Sequence, residues 1–101
     1  MDLSEKIRDM DFPAIAEALA RDARQCVQGI VESNRENEEF KGFASGVLTG
    51  KPRLSIVVVG DHSAPVFELS MDLASHEAKL GYYRYVADLD LNFVDEFFVV
   101  F

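Results

Sequence analysis

Asp88, Asp90 and Asn92 set three oxygen-bearing side chains at alternate positions, which is how a calcium loop begins, because a hard cation gathers several oxygens. The pattern then fails: the glycine position of such a loop is Phe93, and its final glutamate position is Val99. The run from Asp88 to Asn92 therefore reads as a β-turn, where Asp and Asn bond their own backbone. The two histidines, His62 and His76, fall in separate predicted turns. Successive turns of a meander lie at opposite ends of the sheet, so the pair is not expected to share a metal or a catalytic step. Ser45 and Ser63 lack the Gly-x-Ser-x-Gly setting of a nucleophile elbow. Leu48-Thr49-Gly50-Lys51 is a fragment of a phosphate loop without its first glycine. Cys26 lies on an apolar helix stripe and reads as a small buried hydrophobe, since reactive thiols sit partly exposed beside positive charge. Glu68, Asp72, Asp88 and Arg84 are expected on one solvated sheet face, with Asp72 and Arg84 as a cross-strand ion pair of little energy. These residues supply no catalytic constellation. No metal and no cofactor is expected.

The elements that would position them change period near Pro52. Leu3, Ile7 and Met10 recur at the spacing of one helix face, with Asp2 or Ser4 as cap. Asp11 reads as the N-cap of a longer helix, with Pro13 in its first turn. Ile15, Leu19, Ala23, Cys26, Val27 and Ile30 make its apolar stripe. Phe40, Phe43, Ala44, Val47 and Leu48 continue helical spacing up to Gly50 and Pro52, a stop signal. After that point, residues 54–59 are β-branched and apolar. Phe67, Leu69, Met71 and Leu73 alternate with wetter neighbours, and Tyr83, Tyr85, Ala87 and Leu89 do the same. The expected elements are helices at about 3–10, 12–33 and 37–49 and strands at about 54–59, 66–73, 81–89 and 93–101. The expected class is α+β: two or three N-terminal helices packed on one face of a four-stranded antiparallel β-meander, in one domain spanning 1–101. Short connections exclude parallel crossovers.

Composition narrows the function classes. Forty-nine per cent hydrophobic residues in 101 suffice for one core and not for two. The formal net charge of −8 opposes direct binding to nucleic acid and favours a basic partner, while also serving solubility. One cysteine, no apolar run of membrane length and no signal-peptide pattern fit a reducing cytoplasm, with no membrane partner.

The functional expectation rests on an apolar surplus. Val57, Val59, Val66, Tyr82 and Val86 point away from the core-facing set, and Phe97, Val99 and Phe101 add to the last strand. An apolar last strand without Lys or Pro invites pairing with another chain. The chain therefore reads as a small acidic non-enzymatic binding protein, a homodimer or the holder of a protein partner. Its working surface would be the outer sheet face, Arg84 included, and the C-terminal edge strand. In a sharper form it is an inhibitor or antidote of a basic partner. The alternative is a small ligand-binding domain or enzyme with a pocket between helices and sheet, lined by Phe40, Phe43, Tyr83 and Tyr85, whose hydroxyls need partners.

Overall fold

The computed structural model describes residues 2–44, 46–58, 64–76 and 78–101. It is a mixed α+β fold with three N-terminal helical segments and an antiparallel sheet. The first helix, α1, spans Leu3–Arg8, and Asp2 caps it by accepting a hydrogen bond from the Glu5 N–H at 2.9 Å. The second, α2, spans Phe12–Ser33; Asp11 accepts from the Ala14 N–H at 3.1 Å, and Pro13 occupies the first turn, where its missing N–H has no partner to lose. Leu19, Ala20, Ala23 and Val27 are the buried residues of α2, and Ile15, Cys26, Ile30 and Val31 pack at its margins. The two alanines let the helix axis lie close to the sheet, while each fully buried Leu or Val stabilises by about 1.5–3 kcal/mol.

The sheet consists of β1 (Leu48–Thr49), β2 (Arg53–Val57), β3 (Val66–Ala74), β4 (Lys79–Asp88) and β5 (Phe93–Val100). β1 and β2 both pair with the same side of β3, then β4 follows, and β5 stands at the far edge. From Thr49 opposite Leu73 to Arg53 opposite Ser70, one strand advances four residues and the other three. The extra residue is a bulge at Lys51 and Pro52, a position suited to a proline that cannot donate to a ladder. Phe67, Leu69, Met71 and Leu73 of β3 and Tyr83, Tyr85 and Ala87 of β4 form the sheet side of the core, beneath α2 and Phe43.

The helix expected over 37–49 is corrected. A 3₁₀ helix occupies Glu38–Phe43, and the chain then extends into β1. Gly46 adopts φ +111°, outside the region a continuing helix allows, so the stop falls four residues before Gly50. Gly50 instead joins the sheet, its N–H donating to the Asp72 carbonyl at 2.8 Å. The sequence signal was ambiguous because helical and short extended runs of Val and Leu look alike over three residues. Val59 and residues 60–63, with His62, where a turn is expected from the sequence, lie outside the described residues.

Candidate functional site

Strand register decides which of the expected surface residues meet. On the outer face, away from α2, Tyr82 stands opposite Val99 and Arg84 opposite Phe97. Phe101 continues this row, its ring 6.1 Å from that of Tyr82. Arg84 lies over the Tyr82 ring at 5.1 Å, and Lys79 over the Phe101 ring at 5.9 Å, so the patch has a cationic border. Phe97 and Phe101 remain 49% and 71% exposed, far above the usual state of a phenylalanine in a small domain. Val57 and Val66 pair with each other at the opposite end of the face. Val86 lies toward that end too, four residues or about 13 Å along β4 from Tyr82, and it is buried. The expected set is thus brought together only in part: Tyr82, Arg84, Phe97, Val99 and Phe101 form one patch, Val57, Val66 and Val86 do not join it, and Val59 lies outside the described residues.

Beside the patch, toward β3 and β2, the face is polar. Asp72 contacts Arg53 at 3.5 Å and Lys79 at 3.4 Å, and Arg84 contacts Glu68 at 3.5 Å. The expected Asp72–Arg84 pair is therefore replaced: register sets Ser70, not Asp72, opposite Arg84. The Arg53 guanidinium, with Lys79 beside it, holds the Asp72 carboxyl below its ordinary range.

The core face carries the aromatic candidates. Phe40 stacks on Phe98 at 5.3 Å, Phe43 meets the same ring edge-on at 5.9 Å, and Tyr83 meets it at 6.2 Å. Phe98, which sequence reasoning left unassigned, is the hub that ties the 3₁₀ helix to β5. Its signal was present: it alternates with Phe97 and Val99 on a strand whose neighbours face outward. The Tyr83 hydroxyl donates to a carboxylate oxygen of Glu96. Burial first, then that hydrogen bond, pushes the Tyr83 phenol well above its ordinary range, and burial does the same for Tyr85, with the Asp22 and Glu96 carboxylates adding negative charge nearby. Cys26 is half-buried beside these phenols.

A groove of about 440 Å³ runs between the end of α2 and the 3₁₀ helix, lined by Val31, Phe40, Phe43 and Val47 with Gln28 and Arg35 at its rim. Tyr83 and Tyr85 do not line it. The four aromatic candidates are thus split, two on this groove and two in the packed core. At the β4–β5 turn, the Asp88 carboxylate accepts from the Asp90 and Asn92 N–H groups and from the Asn92 side chain, which holds it below its ordinary range. Among the described residues no cluster of three or more His, Cys, Asp or Glu is arranged to hold a metal ion, and no helix is long and apolar enough to cross a membrane. His76 is exposed.

Compared with known protein families, with curated proteins and with solved structures, the chain matches none.

Proposed function

We propose that the chain is a non-enzymatic interaction protein that works through the outer face of β4 and β5 and the edge of β5. The observation behind this reading is the patch of Tyr82, Phe97, Val99 and Phe101, contiguous on one face and bordered by Arg84 and Lys79. A cluster of exposed large apolar side chains with a charged border is a place where something can dock. The formal net charge of −8 favours a basic protein as an outside partner, held as by an inhibitor or antidote, and such a complex weakens as salt screens it.

The test removes the patch without touching the core. Tyr82→Ser with Phe97→Ser is expected to abolish concentration-dependent mass in light scattering and to reduce binding of a hydrophobic dye, with the far-ultraviolet dichroism unchanged. A wild-type chain that stays strictly monomeric at high micromolar concentration, and whose dye binding the substitutions leave unchanged, would overturn the reading. A second reading, a small ligand-binding domain, draws on the groove at Phe40 and Phe43. It expects small apolar molecules to shift resonances of those two rings selectively.

A further inference from the structure

Resting on that reading, we infer that the occupant of the β5 edge is a second copy of this chain, paired antiparallel about a two-fold axis at Val99. Among the described residues β5 pairs with β4 alone, so one side of it is an open edge. The Phe101 N–H donates to the Leu80 carbonyl at 2.8 Å, which fixes the direction of every backbone group along the strand. With Phe101 turned toward β4, so are Val99 and Phe97, while Val100, Phe98 and Glu96 present their N–H and C=O groups to the edge. The Glu96 N–H is already taken by the Asp95 carboxylate at 2.8 Å. The groups left for a newcomer are thus those of Phe98 and Val100.

A two-fold axis at Val99 uses them completely. Phe98 of each copy then exchanges both hydrogen bonds with Val100 of the other, Phe97 stands opposite Phe101, and Val99 opposite itself. Every pair is apolar. Within these pairs no charge opposes another, which is what cross-strand energetics require. Lys79, poised over the Phe101 ring, comes to the end of the joined strands where the other copy presents Asp95, opposite in sign. An axis two residues earlier would set Asp95 and Glu96 against valine and phenylalanine and would run the pairing into Val94, the irregular position where the β4 register shifts.

The other open edge is better defended. β2 is flanked by the bulge at Lys51 and Pro52 and begins at Arg53, devices that discourage pairing. The β5 patch is small: the exposed rings of Phe97 and Phe101 offer roughly 250 Å² per copy. Five residues a side fall well short of the ~1,200 Å² of a stable complex, so the dimer is a weak, reversible one with a dissociation constant on the order of micromolar or above. Because each copy carries −8, added salt tightens it, the opposite of what a basic partner would show.

The experiment is disulfide trapping in a Cys26→Ala background under mild oxidation. Val99→Cys is expected to cross-link with itself, since opposed residues of that type approach to about 4.5 Å, within disulfide reach. Phe97→Cys mixed with Phe101→Cys is expected to link, and Phe97→Cys alone is not. Val99→Lys, which sets two lysines face to face at the axis, is expected to eliminate the dimer in sedimentation, whereas Val57→Lys on β2 leaves it intact. If Val57→Lys abolishes association and Val99→Lys does not, or if mass grows without limit, the two-fold β5 pairing is wrong while the docking surface stands. Association only with an added basic protein, weakening as salt rises, likewise overturns the second copy and keeps the surface. A monomer at all concentrations with no dye binding removes both.

Discussion

A single side chain carries the polar contact most tied to the interior. Tyr83 is fully buried, and its hydroxyl donates to the Glu96 carboxylate. A hydrogen bond to a charged group contributes about 1.5–3 kcal/mol, and Glu96 keeps partial access to water, so Tyr83→Phe is expected to cost about 1–2 kcal/mol in denaturant unfolding. The pH dependence follows from the direction of the shift. A phenol raised above its ordinary value of about 10 favours its neutral form in the fold, so its contribution is complete below that pH and declines as pH rises past it. Thermal midpoints of the wild type are expected to fall on the alkaline side, and those of Tyr83→Phe to fall less steeply, with Tyr85 still contributing. That the Tyr83 hydroxyl needs a partner was legible in the sequence, but which partner was not. Tyr83 and Glu96 are thirteen residues apart and meet only because of the β4–β5 register.

Elements were more legible, and the reasons differ. α2 declared itself through Asp11, Pro13 and an unbroken stripe from Ile15 to Ile30, three local signals in agreement. β3 did so through strict alternation, with every second residue buried. The 37–49 segment misled because its apolar spacing is compatible with a helix, while its true partner, the end of β3, lies more than twenty residues away. Gly46 is the residue that decides it. At φ +111° an alanine is strained by roughly 1–3 kcal/mol, so Gly46→Ala is expected to lower the thermal midpoint by about 4–8 °C per kcal/mol, with nothing near its Cβ to blame. A Gly46→Ala variant that melts like the wild type would return the segment to a helix. The surface patch was half legible: strand parity identified the outward residues, but only the register showed that Tyr82 and Val99 are neighbours whereas Val57 is not.

The whole molecule is longer than its chain length suggests. Its radius of gyration is 15.2 Å, against about 13 Å for a compact domain of this size, and its extents are 48 × 26 × 19 Å. The long β3–β4 hairpin and the 22-residue α2 run across a single thin core. Charge acts on the same scale. With 18 acidic and 10 basic residues, the folded chain repels itself, and screening relieves that repulsion. The thermal midpoint of a dilute, monomeric sample is expected to rise between low and physiological salt, read by calorimetry. A fall would mean that the ion pairs of Asp72 and Glu68 outweigh the net repulsion.

The extra residue at Lys51 and Pro52 sets the phase of everything that follows on that strand. Side chains alternate sides at each step, so one surplus residue swaps odd for even: Thr49 and then Leu54 and Ile56 share the sheltered side, although their numbers differ in parity. Remove either residue and the count reverses. Arg53 and Ser55 would be steered beneath α2, and Leu54 and Ile56 out into water. Replacing Lys51 by another amino acid alters one exposed side chain, but deleting it rewrites the inside and outside of a whole strand.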